Sequence, residues 1–146
     1  MIIAETESLI RDNDIPLPRA KFRRQSEGED PTILADIYLE ETNIVIWRRK
    51  LPATFSQSIE SFLDLNSELQ VAMVVTPETA YSLIHEKLAD SGQHELCKNI
   101  DQLVGMFCSL LEVQRVGLRL ANLDRAMCPK FHVDKVPCRM VTTFQG

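Results

Sequence analysis

The sequence predicts an α+β fold: a helix-rich N-terminal two-thirds followed by antiparallel strands. Two observations carry this. Up to about residue 114, apolar side chains recur at helical intervals, most regularly at Leu96, Ile100, Leu103, Phe107 and Leu110. From Val116 onward the period drops to two, the spacing of a half-buried strand. Helices segregated from strands indicate α+β architecture. With 146 residues, 45% of them apolar and 25% charged, the chain can bury one ordinary core.

Residues 1–32 read as a flexible leader, and 33–146 as a single α+β domain. Prolines extend the chain at Ile15-Pro16-Leu17-Pro18. A basic patch at Lys21-Phe22-Arg23-Arg24 is followed by acidic residues at Glu27, Glu29 and Asp30, with few apolar anchors between them. A short helix is expected over 32–40. Ile44, Val45, Ile46 and Trp47 then form a compact β-branched and aromatic run, read as a buried strand.

Thr54 with Gln57 three residues on reads as a capping box opening a helix. Its stripe is Phe55, Ile59, Phe62 and Leu63. A second strand-like run spans 69–75. Thr76-Pro77-Glu78 has the order of N-cap, helical proline and first-turn acid, and predicts a helix over 78–90 that buries Tyr81, Ile84 and Leu88. The longest helix is expected over 94–114. Cys97, Val104, Cys108 and Leu111 widen its stripe, which makes it central and makes both cysteines core residues. Val116, Leu118 and Leu120 alternate as an inward strand face. Cys138, Met140, Thr142 and Phe144 do the same in a final strand.

The formal charge is −5. Residues 1–96 hold nine basic and seventeen acidic side chains, net −8, and residues 97–146 hold seven and four, net +3. Arg115, Arg119, Arg125, Lys130, Lys135 and Arg139 cluster in that second part. Such a field would favour a small anionic ligand, a carboxylate or phosphate; a solvated strand surface would show the same pattern. The acidic balance, without interleaved aromatic and basic residues, argues against nucleic acid. No apolar stretch has membrane-spanning length. The N-terminal residues lack the features of a secretory signal, so a cytoplasmic location and four reduced thiols are expected.

The last twenty residues gather more metal-ligand types than any other stretch. His132 and Asp134, two apart, would share one face of a strand, with Phe131 and Val133 on the other. Imidazole beside carboxylate suits a divalent ion such as Fe(II), although a carboxylate that simply orients a histidine has the same spacing. Cys128 and Cys138 bracket the pair, and thiolate with imidazole suits Zn(II). The spacing fits no standard finger, and buried cysteines also serve as small apolar groups. Pro129 and Pro137 exclude helix through the segment.

The run VGLRLANLDRAMCPKFHVDKVPCRMVTTFQG at 116–146 resembles the signature of an uncharacterised bacterial family, domain of unknown function 1826. The C-P-x-F-H-x-D-x-V-P-C-R core at 128–139 is its most distinctive part. The resemblance implies no established activity, and for some members a link with zinc-homeostasis genes. More distantly, the Phe131-His132-x-Asp134 segment resembles the first metal-binding motif of Fe(II)/2-oxoglutarate oxygenases. That likeness implies a jelly-roll strand, a second histidine well downstream and a basic residue holding a carboxylate. No histidine follows His132 here. Family members are expected to continue past the position of Gly146, so the expectation is a shortened chain with an incomplete triad and an incomplete jelly-roll. Its unpaired sheet edges would favour a homodimer.

His85 and His94 read as isolated surface or boundary residues, since neither has a coordinating neighbour one turn away. Three readings of function follow. One is a non-haem Fe(II) oxygenase-like protein with His132 and Asp134 as ligands and Arg139 holding an anionic substrate. Another is a zinc-binding accessory protein without catalysis, using Cys128, His132 and Cys138 with Asp134 beside them. The third is a metal-free interaction module. Whether the chain is an enzyme stays open at this point.

Overall fold

In the computed structural model the described residues are 2–8 (backbone course and strand pairing), 23–88, 93–123 and 136–145. They fall into two units, Arg11–Lys50 and Met1–Ile10 with Leu51–Gly146. The fold is mixed α+β, as expected, with strands among the helices of the first hundred residues as well as after them.

The larger unit is built on a four-stranded antiparallel sheet made from β1 (Ile2–Ser8), β4 (Gln70–Val75), β5 (Val116–Asn122) and β6 (Arg139–Gln145), in the order β4-β5-β1-β6. Residues 2–8, expected in the leader, are thus an inner strand. Ala4 stands opposite Leu120 on one side and Thr142 on the other. Because β5 and β6 are each antiparallel to β1, they run parallel to one another. The chain between them passes from the Ile2 end of β1 to its Glu7 end.

The alternation read in β5 holds. Val116, Leu118 and Leu120 are buried, while Arg119 between them is exposed. Val75 of β4 and Phe144 of β6 complete this inward face. The opposite face carries Val74 and Val141, both more than half exposed.

Three helices accompany the sheet. α1 (Ala53–Leu65) buries Phe55, Ile59, Phe62 and Leu63, the stripe expected from sequence. Its start differs: the cap position is Pro52, whose carbonyl accepts from the Phe55 and Ser56 amides at 3.0 and 3.2 Å, and no capping-box side chain bonds. With Pro52 as the cap, Thr54 lies inside the first turn and not at the cap position that the Thr54–Gln57 box requires. α2 (Ala80–Lys87) starts later than the Thr76-Pro77-Glu78 pattern suggests. There the Thr79 hydroxyl accepts the Thr76 amide at 3.0 Å, forming a turn that delays the helix. Ile84 and Leu88 are buried, while Tyr81 is half-buried.

α3 (His94–Leu111) is the central helix, with Leu96, Cys97, Ile100, Leu103, Val104, Phe107 and Cys108 all buried. It packs on α2 and β1. It stops at Glu112, in the left-handed region at φ 53°, after which the Val113 amide closes on the Cys108 carbonyl at 3.0 Å.

The smaller unit is a parallel pair, β2 (Arg24–Gly28) with β3 (Thr42–Trp47), joined through a 3₁₀ helix at Pro31–Tyr38. Arg24–Gly28 was expected to be leader and is a strand. Asp30 caps the 3₁₀ helix, accepting from the Thr32 hydroxyl at 2.6 Å and the Thr32 amide at 2.9 Å, and these hydrogen bonds hold its carboxyl below the ordinary value. A Cβ on Gly28 would stand 3.3 Å from Ile33, so glycine permits the strand to approach the helix. The β3 run is not buried as expected: Ile44 and Ile46 are exposed. Two strands with one short helix leave apolar residues of the pair uncovered. Trp47 is held by its indole N–H, which donates to the Glu29 carbonyl at 2.9 Å, and by the Arg49 guanidinium 5.3 Å from its ring centre.

Candidate functional site

The residues singled out by sequence divide sharply. Cys128, His132 and Asp134 lie outside the described residues, as do Arg125, Lys130 and Lys135. Cys138 and Arg139 lie inside. Cys138 immediately precedes β6 and is half-buried; burial pushes its thiol up, and a hydrogen bond from the Arg139 backbone offsets this in part. Arg139 opens β6 opposite Glu7, with its Nε buried. Asn122 and Arg139 therefore fix the two ends of the segment that holds the motif.

Basic residues are distributed across the sheet. Arg119 is exposed mid-strand, in register with Glu5 and Ala72. Arg115 is exposed just before β5. The register thus sets acidic Glu5 and Glu7 opposite Arg119 and Arg139.

Cys97 and Cys108 are core residues, as expected. Burial pushes both thiols up, and for Cys108 the carboxylate of Glu78 adds to the shift. Neutral, buried thiols are poor nucleophiles and poor ligands. With Cys138 they are free of disulfides. Among the described residues, no group of three or more His, Cys, Asp or Glu side chains converges to hold a metal.

A groove of about 500 Å³ lies where α1 ends and α2 and α3 meet, with Phe62, Leu65, Leu69 and Leu88 on its walls and Lys87 at its side. None of the sequence-predicted ligands lines it.

Sequence reasoning missed one cluster. His85 on α2 and His94 at the start of α3 are not isolated. Their rings stack with centres 5.0 Å apart and planes at 23°. Tyr81, one turn before His85, stacks on it at 5.9 Å, and its hydroxyl lies 3.2 Å from Nδ1 of His94. The i, i+4 spacing of Tyr81 and His85 was legible. The third member comes from α3, and periodicity within one helix does not reveal a contact between two.

A family profile described as Protein of unknown function (DUF1826) matches residues 28–146. The chain belongs to this family. The span shared with DUF1826 runs from the last residue of β2 to the end and contains all of 128–139. No curated protein and no solved structure matches the chain. Among the described residues of this DUF1826 protein, no helix is long and apolar enough to cross a membrane.

Proposed function

We propose that this DUF1826 protein binds a divalent metal ion through residues 128–139, with His132 and Asp134 as ligands in a non-haem Fe(II)-type site. The observation that carries the reading is the chemistry of that stretch. One imidazole and one carboxylate stand two residues apart, in the donor combination that non-haem iron sites use. Arg139 supplies the positive charge to orient a small anionic substrate such as a carboxylate. When bound, the metal would supply Lewis acidity and open positions for that ligand.

A zinc-binding accessory role is the second reading. It is favoured by the bracketing of His132 by Cys128 and Cys138, since Zn(II) bound there would itself draw the thiols into the thiolate form. A metal-free interaction module is the third. The fold offers one route to a homodimer under any of these readings, because β4 and β6 are the edges of the sheet and carry exposed Val74 and Val141. A cytoplasmic setting suits the unpaired cysteines.

Elemental analysis of purified protein, followed by anaerobic titration with Fe(II), Zn(II) and Mn(II), tests the proposal. Loss of a bound equivalent in His132→Ala, together with at least tenfold weaker binding of that equivalent in Asp134→Asn, supports it. If the wild type and His132→Ala bind identically, or if neither binds any of the three ions, the metal reading gives way to the interaction module.

A further inference from the structure

The smaller unit ends in an open edge. β2 and β3 form a two-stranded sheet, and among the described residues no strand pairs with the far side of β3. A lone pair of strands is marginally stable, and an open edge is a template for another chain. Proteins ordinarily blunt such an edge with charge or proline. Thr42–Trp47 carries neither. One face of the strand is also apolar and bare, with Ile44 52% exposed and Ile46 37% exposed.

The ladder shows which backbone groups meet that edge. The Arg48 amide donates to the Gly28 carbonyl of β2 at 2.8 Å. Backbone groups alternate sides along a strand, so those of Ile46 and Ile44 also turn toward β2. Those of Asn43, Val45 and Trp47 turn to the open edge.

The flanks of β3 select the occupant. Glu40 and Glu41 precede the strand, and Arg48, Arg49 and Lys50 follow it. Both glutamates are exposed and, among the described residues, make no ion pair. Arg48 and Lys50 are exposed beside Glu27 and Glu29 of their own unit. A second β3 laid antiparallel along the edge sets the acidic end of each copy against the basic end of the other. A parallel copy would set acid on acid and base on base. With Val45 opposite its own counterpart, Ile44 of one copy faces Ile46 of the other on the bare face. A slip of register in either direction weakens the charge match.

We propose that β3 is a dimerisation strand, through which two copies of this chain pair antiparallel about a two-fold axis at Val45. The product is a continuous sheet in the order β2-β3-β3-β2, joined by a self-complementary contact. This edge is distinct from β4 and β6, and the pairing needs no metal. A single strand pair buries less than the roughly 1,200 Å² of a standard interface, so the dimer is weak and reversible.

Sedimentation velocity of the full chain, from low to high micromolar concentration, tests the proposal. The wild type is expected to pass from monomer to dimer. Glu40→Lys with Glu41→Lys makes both flanks basic, and Arg48→Glu with Lys50→Glu makes them predominantly acidic. Each double variant alone should dimerise at least about tenfold more weakly, because like charges then meet at both ends. An equimolar mixture of the two should restore association, since each supplies the charge that the other lacks. Circular dichroism checks that both fold, and the recovery on mixing separates lost pairing from lost structure. Hydrogen exchange gives a second readout: the amides of Val45 and Trp47 should gain protection as concentration rises, and those of Ile44 and Ile46 should not. A chain that stays monomeric overturns the proposal. So does a dimer indifferent to both variants, which would sit on another edge, or a mixture that associates no better than its components.

Discussion

The rings of Phe55 in α1 and Phe144 in β6 meet edge to face, with centres 6.1 Å apart and planes at 66°. Both are buried. This contact ties the first helix of the larger unit to its last strand. Truncating a buried phenylalanine removes its transfer free energy and leaves a cavity, about 3–5 kcal/mol together. Phe144→Ala is expected to lower the urea unfolding free energy by that amount. A loss below about 0.5 kcal/mol would mean that β6 is peripheral to the core.

The centre of α3 makes a parallel case. Phe107 is 1% exposed and Leu103 is 4% exposed. Leu103→Ala should cost about 2–5 kcal/mol, and Phe107→Ala about 3–5 kcal/mol, in the same measurement.

α3 also holds a glycine where a Cβ would fit and a Cβ where a glycine would fit. A Cβ on Gly105 would meet nothing within 4 Å. Gly105→Ala should therefore stabilise the protein by about 0.5–1 kcal/mol through helix propensity. Glu112 is exposed and sits at φ 53°. Glu112→Gly relieves a left-handed residue and should add about 1 kcal/mol. Thermal unfolding of each variant checks the sign; a destabilised Gly105→Ala would mean that the helix leans on a neighbour at that point.

The buried thiols make stability pH-dependent. Burial holds Cys97 and Cys108 above the ordinary value of 9.0. Their contribution is complete below that value. As pH rises past it, the unfolded chain releases these protons while the folded chain retains them, and stability falls. The double variant Cys97→Ala, Cys108→Ala should therefore lose less stability than wild type between about pH 8 and about pH 10, beyond the constant cost of the truncations. Parallel pH profiles would assign the alkaline loss to other groups.

The chemistry at 128–139 is decided by the cysteines. If Cys128→Ser and Cys138→Ser leave metal binding intact, the site is of the oxygen-nitrogen kind. If either one abolishes binding in a protein that still melts cooperatively, zinc-thiolate ligation replaces the iron reading.

What could be read from sequence followed the range of the interactions involved. α3 was legible because its stripe repeats over five turns, and β5 because Val116, Leu118 and Leu120 alternate with small or polar residues. β1 was not, since Glu5, Thr6, Glu7 and Ser8 look like solvent-facing chain. What makes them an inner strand is pairing with residues more than a hundred positions away, such as Ile2 with Asn122. Ile44 and Ile46 were misread for the converse reason: composition signals a strand but not how many layers cover it. Of the predicted ligands, the structure places Cys138 and Arg139 at the start of β6. The pairing of His85 with His94 needed two helix ends at once.

The place of β1 in the sheet also orders events in time. It leaves the ribosome well before both of its neighbours, β5 and β6, which follow it by more than a hundred residues. A nascent chain halted before Val116 has β1 with no partner on either edge. Even a chain halted before Arg139 leaves one of those edges bare. Sheet closure therefore waits for β6, and until then β1 depends on whatever else in the cell will keep an unpaired edge from joining another chain.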